Sequence, residues 1–206
     1  MDRVLEALNE HHKAFFSSRV FAEETGQPAP LESRAWSQII VSLLTGIRGL
    51  DRKKGPDFID GSDVKAANVW GAIDTPRFNG CIKAGTMSSV SNSMKSLDEM
   101  PYLFFVLWDY EPSSETERVR IWCVRPQYDN HFRNICQKWY SLRASGEIVS
   151  DNFQLHPPRN LNSDIFTNNC GNLHYPLLFC AMWDGDEYYV DYYEPDILQN
   201  GECQPA

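Results

Sequence analysis

Two seven-residue runs constrain this chain most: Tyr102-Leu103-Phe104-Phe105-Val106-Leu107-Trp108 and Leu177-Leu178-Phe179-Cys180-Ala181-Met182-Trp183. Neither contains a charged residue, and each is bounded by turn-forming residues, Pro101 and Asp109 for the first, Pro176 and Asp184-Gly185 for the second. Runs this short and this continuous read as buried strands, which need covering layers. Val119-Arg120-Ile121-Trp122-Cys123-Val124-Arg125 alternates and reads as a strand with one wet face, and Tyr188 to Tyr193 reads as a strand pairing back across the Asp184-Gly185 turn. Helical spacing marks Asp2 to about Ser17, about Glu32 to Thr45, and Asp129 to about Arg143. The second is apolar on most sides (Ala35, Ile39, Ile40, Val41, Leu43, Leu44) and ends at Gly46 and Gly49. Asn68 to Leu97 shows no period and reads as a surface wrap, and Pro157 to His174 reads as an irregular polar loop. The expected fold class is therefore α/β of the α+β kind: one domain with a central mixed, largely antiparallel sheet flanked by helices.

A chain of 206 residues is long enough for one real core. No apolar run approaches the roughly 20 residues of a membrane span, and the acidic start Met1-Asp2-Arg3-Val4-Leu5-Glu6 is unlike a signal peptide. Six scattered cysteines without a Cys-x-x-Cys pair suit reduced, buried thiols. These features predict a cytoplasmic protein. The net charge of −9 argues against a simple electrostatic nucleic-acid binder, but its distribution is uneven. Seven acids and no Lys or Arg lie between Ala181 and Ala206, whereas Arg118 to Cys180 carries seven bases against four acids. Local field decides what a cleft attracts.

The chemistry concentrates in Gly55-Pro56-Asp57-Phe58-Ile59-Asp60-Gly61-Ser62-Asp63-Val64-Lys65. The stretch reads as a β-hairpin. Asp63 and Lys65 are two residues apart and share a face of any strand. Asp57 joins them if Asp60-Gly61-Ser62 is a three-residue loop, which pairs Ile59 with Asp63 and Asp57 with Lys65. Two close carboxylates repel, and a hard divalent cation such as Mg²⁺ relieves that repulsion while leaving room for water and a phosphate oxygen. The Val64 carbonyl is a further candidate ligand, and Lys65 can offset charge developing on the phosphate. A rival register makes Asp51 or Asp60 the first acid.

With Pro56-Asp57 upstream of Asp63-Val64-Lys65, the stretch from Glu32 to Ala67 resembles the PD-(D/E)xK nuclease superfamily, best known from type II restriction endonucleases. That resemblance implies a restriction-endonuclease-like core and a Mg²⁺-dependent phosphodiesterase. Asp57 and Asp63 would be metal ligands and Lys65 the catalytic lysine. A Glu from the preceding helix is often added in such enzymes, and Glu32 is the candidate here. Five residues between Asp57 and Asp63 are fewer than the family usually shows. The alternative is an ordinary polar hairpin with an Asp-Gly turn.

On this reading, residues 1–30 are an N-terminal helical segment and 31–125 the catalytic core. Residues 126–183 hold a helix, a polar DNA-contact loop and a core strand, and 184–206 form an acidic C-terminal hairpin or tail. Arg48, Arg52, Lys53 and Lys54 are candidates to meet DNA phosphates. Arg159, Asn160, Asn162, Thr167, Asn168 and Asn169 are candidates to read bases, since Arg suits guanine and Asn adenine in the major groove. Arg77 and Lys83 are weaker phosphate candidates. Against each stands a plain polar loop using Asn for turns. Cys170-x-x-x-His174 is too sparse for a zinc site. The expected activity is site-specific cleavage of double-stranded DNA by a homodimer, leaving 5′-phosphate and 3′-hydroxyl ends. The alternatives are a repair or junction-cleaving nuclease of the same superfamily, and a non-catalytic interaction protein whose acidic, aromatic C-terminus binds a basic partner.

Overall fold

The computed structural model describes residues 1–27, 33–51, 55–70, 72, 74–84, 90–158 and 162–206, with the backbone only for 90–93. In chain order the elements begin with α1 (Asp2–Thr25), α2 (Arg34–Thr45), β1 (Asp63–Asn68), α3 (Val90–Asp98), β2 (Leu103–Tyr110) and β3 (Glu117–Val124). They continue with α4 (Asn130–Ala144), β4 (Ile165–Asn168), β5 (Gly171–His174), β6 (Leu177–Trp183), β7 (Tyr188–Tyr193), α5 (Ile197–Asn200) and β8 (Gln204–Pro205). The two apolar runs are β2 and β6, on either side of β3 in a five-stranded sheet of order β1-β2-β3-β6-β7. β1 runs parallel to β2, and the other neighbours are antiparallel. The expected mixed, largely antiparallel sheet flanked by helices is what forms.

Alternation along β2 explains why its run is apolar throughout. Phe104, Val106 and Trp108 point into a core completed by Val4, Leu8 and Phe15 of α1 and Ile40 and Val41 of α2. Leu103, Phe105 and Leu107 point into a second core with Phe132, Ile135, Cys136 and Trp139 of α4 and Phe166 of β4. Both faces are dry, so neither can carry a charge cheaply.

Four local expectations are corrected. First, α1 extends past Ser17 to Thr25, where Gly26 closes it in a left-handed conformation with φ 66°. Its last turns expose Val20 and Phe21, so apolar periodicity could not signal them. Second, the supposed wrap before Leu97 contains α3, whose Leu97 is fully buried and whose Met94 packs on the α4 side. Third, β3 has no wet face. Arg118 and Arg120 are each about 4% exposed and close on the equally buried Asp109 of β2. Arg118 donates to both Asp109 oxygens at 2.9 Å, and Arg120 Nη2 donates to Oδ2 at 2.7 Å. Fourth, the polar stretch after Pro157 contains the β4–β5 hairpin, which β8 joins in a three-stranded sheet.

Two isolated bridges extend that small sheet: His156 pairs with Thr167, and Phe78 with Leu155. The ladder therefore runs from β4 out to the segment carrying Arg77 and Asn79. The acidic C-terminal segment is docked. The amide of Cys203 donates to Asp129 Oδ2 at 2.6 Å, the same buried carboxylate whose Oδ1 caps α4 through the Phe132 amide. All six cysteines are free and buried. No helix among the described residues is long and apolar enough to cross a membrane.

Candidate active site

β1 is an edge strand, and its polar groups alternate between its neighbour and open space. The Asp63 amide donates to the Tyr102 carbonyl at 3.1 Å, which aims Asp63 at β2. In a parallel ladder the next residue then turns its N–H and C=O outward, so Val64 presents both at the open edge. Two carboxylates converge on that amide: Asp57 Oδ2 at 2.9 Å and Asp63 Oδ1 at 3.0 Å accept from the Val64 N–H. Lys65 Nζ stands 2.5 Å from Asp63 Oδ2, both side chains being about four-fifths buried.

Asp57 arrives by a route other than the expected hairpin. Residues 57–59 pair with 48–50: the Leu50 amide donates to the Asp57 carbonyl at 2.7 Å and the Ile59 amide to the Arg48 carbonyl at 3.0 Å. β1 pairs with β2 on one edge only, and on its open edge the Val64 amide bonds the Asp57 carboxylate rather than the 57–59 backbone. Phe58 fixes the approach by burying its ring in the α1–α2 core. The Asp60-Gly61-Ser62 connection is a turn locked by its own side chains. Asp60 accepts from the Ser62 amide and hydroxyl, each at 2.9 Å. Gly61 has φ 97°, and a Cβ there would lie 2.7 Å from the Glu99 carbonyl oxygen, so only glycine fits. Among the described residues, Asp57 is the acid that meets Asp63. Asp60 is spent on the turn, and Asp51 is exposed beside α2.

The other Asp57 oxygen accepts from Gln38 Nε2 of α2 at 2.6 Å, and Arg34 Nη2 lies 3.6 Å from it. Sequence reasoning missed Gln38. Its position next to exposed Arg34, Ala35 and Ile39 gave it the look of an ordinary surface amide. Glu32 lies outside the described residues.

Burial pushes the Asp57 carboxyl up to about 6, assisted by its hydrogen bond to Asp63 and the charge there, against the Val64 amide and Lys65. Burial works the same way on Asp63, but the hydrogen bond from Asp57 and the Lys65 ammonium outweigh it and hold that carboxyl below its ordinary value. One proton shared by two close acids is the expected response to like charges in a half-dry site. No group of three or more His, Cys, Asp or Glu that could cage a metal occurs among the described residues. Two carboxylates and the outward Val64 carbonyl nevertheless make an all-oxygen donor set. That suits a hard cation which keeps several waters and borrows ligands from a phosphate, as Mg²⁺ does.

Beside the pair runs a cleft of about 370 Å³ lined by Ser33, Arg34, Val64, Lys65, Ala66, Arg77 and Asn79. The remaining candidates are scattered. Arg48 is exposed on the strand-like segment paired with 57–59. Asn162 accepts from Arg118 Nη1 at 2.5 Å and donates to Glu111 Oε1 at 3.0 Å. Asn168 closes the β4–β5 turn by accepting from the Cys170 amide and donates to the Gln154 carbonyl. Thr167 and Asn169 are exposed on that hairpin. Arg52, Lys53, Lys54, Arg159 and Asn160 lie outside the described residues. Of the C-terminal aromatics, Tyr188 is core and Trp183 stacks on His12 at 3.6 Å, while Tyr189, Tyr192 and Tyr193 remain exposed.

The model of the MamI restriction endonuclease family matches residues 20–181, which include the carboxylate pair, Lys65 and the whole of β1 to β3. The chain is also similar to the type II restriction enzyme MamI of Microbacterium ammoniaphilum. The two are 31% identical over 193 residues, an overlap covering 85% of this chain and 61% of that enzyme's length. No solved structure matches.

Proposed function

We propose a function from one premise: the chain belongs to the MamI restriction endonuclease family. It acts as a Mg²⁺-dependent type II restriction endonuclease that hydrolyses phosphodiester bonds of double-stranded DNA at a specific sequence, in the cytoplasm. The observation that carries this reading is the meeting of Asp57, Asp63 and Lys65 at the open edge of β1, through the shared Val64 amide and the 2.5 Å Lys65–Asp63 contact. The chain spans 61% of the length of the curated relative, so activity, substrate and assembly are inferred for this chain from its own site.

Asp57, Asp63 and the Val64 carbonyl would hold the divalent ion. Bound there, the ion would replace the shared proton, stabilise negative charge on the phosphate and lower the pKa of water. Gln38 and the Val64 amide fix the Asp57 carboxylate so that it need not reorganise during the reaction. Lys65, oriented by Asp63, keeps a positive charge where the attacking oxygen and the phosphate meet. Bond cleavage gives a 5′-phosphate and a 3′-hydroxyl. Two equal sites cut two strands most simply in a homodimer. Of the five described members of the proposed DNA-contact set, Arg48, Thr167 and Asn169 are exposed for DNA, whereas Asn162 and Asn168 shape the loop through their protein contacts.

The test is incubation of purified protein with Mg²⁺ and several long unmethylated DNAs. Discrete fragments with 5′-phosphate ends are expected, lost in Asp63→Ala and in Lys65→Ala while both variants still melt cooperatively. Absence of cutting on every DNA, or full activity in both variants, would sink the reading. Fragments from branched but not linear duplexes would point to the junction-cleaving alternative.

A further inference from the structure

The cleft beside Lys65 gathers cationic side chains although the protein as a whole is acidic. Its lining brings Lys65 and Arg34, whose head groups pair with Asp63 and Asp57, together with Arg77 and Asn79. The segment carrying Arg77 and Asn79 is held firmly. Phe78 exchanges backbone hydrogen bonds with Leu155 at 2.8 and 3.0 Å, and its fully buried ring stacks on Phe166. Asn79 Oδ1 accepts from Asn152 Nδ2 at 3.1 Å and Gln154 Nε2 at 2.8 Å. With Phe78 inward, strand alternation sends Arg77 and Asn79 outward. Arg77 thus projects from an anchored backbone into the cleft and is itself exposed.

Lys65 and Arg34 are offset by Asp63 and Asp57, so Arg77 gives the cleft its excess positive charge, which favours a polyanion. A guanidinium on a rigid edge is well suited to a phosphate, because its fork can donate two parallel hydrogen bonds. We infer that Arg77 is a phosphate-binding residue of this site, holding a backbone phosphate of the cleaved strand next to the one that meets Asp57, Asp63 and Lys65. The inference rests on the nuclease reading above and adds to it the wall that positions the strand.

The experiment compares the full chain with Arg77→Gln, Arg77→Lys and, as a remote control, Arg3→Gln on α1. Binding to long duplex DNA is followed across a salt series, and steady-state cleavage is measured on a mapped site. Arg77→Gln is expected to raise KM about tenfold with kcat within about twofold, the loss of one charge-assisted contact. It should also lower the slope of log affinity against log salt by about 1. Arg77→Lys should restore the slope and part of the affinity, and Arg3→Gln should change nothing. If the unmodified protein cuts DNA but Arg77→Gln keeps its KM and salt slope, the Arg77 assignment is wrong and the nuclease reading survives. A fall in kcat with an unchanged slope overturns it equally. If the unmodified protein neither binds nor cuts DNA, the proposed function fails and this inference fails with it.

Discussion

Replacing Asp109 by alanine should unfold this protein more easily than almost any other single polar change. Asp109 accepts three hydrogen bonds of 2.7 to 2.9 Å from Arg118 and Arg120, and all three side chains are about 5% exposed. Removing the carboxylate leaves two guanidinium groups facing each other in a dry sheet face. Breaking a buried ion pair this way costs about 3–5 kcal/mol. For a domain of this size 1 kcal/mol corresponds to about 2–4 °C, so the melting midpoint should fall by about 10 °C. A second variant isolates the cause. Converting Asp109, Arg118 and Arg120 together to Leu, Leu and Met removes every charge at similar volume and should recover most of the loss. It should not recover the anchoring of Pro158, Asn162 and Ser163, because Arg118 also donates to Asn162 and Arg120 to the Ser163 and Pro158 carbonyls. Thermal denaturation gives the stabilities, and amide hydrogen exchange of residues 162–164 reads the anchor. A loss under about 1 kcal/mol in Asp109→Ala would refute the reasoning, since the three groups would then be solvated in solution.

Two further outcomes follow from the site. Asp57 is held up at about 6 by burial and by Asp63, above an unfolded value of about 3.9. In metal-free protein its stabilising contribution is therefore full below that unfolded value and is lost as pH rises through about 6. Asp63, shifted down, contributes in the opposite sense. Melting midpoints across this range without divalent ions should show the Asp57 contribution disappear in Asp57→Asn; an unchanged profile would remove the shared-proton picture. Gly61→Ala forces a Cβ to within 2.7 Å of the Glu99 carbonyl at φ 97°. It should cost about 1–3 kcal/mol in urea denaturation and lower cleavage further by displacing Asp57. Wild-type stability would show that the turn yields freely.

Much of the architecture was legible because it is local. Seven apolar residues between turn signals could hardly be anything but β2 and β6, and the spacing of Phe132, Ile135 and Trp139 announced α4. What local patterning could not carry was pairing. Asp60-Gly61-Ser62 looked like a three-residue hairpin loop, yet β1 pairs in parallel with β2, 40 residues away in register (Asp63 with Leu103). Pairing with β2 lets β1 bury Val64 in one core and Ala67 in the other, which a short isolated hairpin could not do. Arg118 and Arg120 alternated like a wet face because their partner, Asp109, is on another strand.

The sequence by itself determined that Asp63 and Lys65 share a face, since strand geometry alternates side chains whatever the neighbour. It also determined that the sheet holding them has covered strands, because the runs that become β2 and β6 hold seven consecutive uncharged, largely apolar residues each. Tertiary structure alone decided which acid joins them. Asp57 reaches the site because Phe58 is buried under α1 and α2 and because β1, paired with β2 on one edge only, leaves the Val64 amide for a carboxylate. It likewise decided that Gln38 and Arg77 flank the site from a helix and from a second sheet, since contacts between residues so distant in sequence depend on which buried faces pack together.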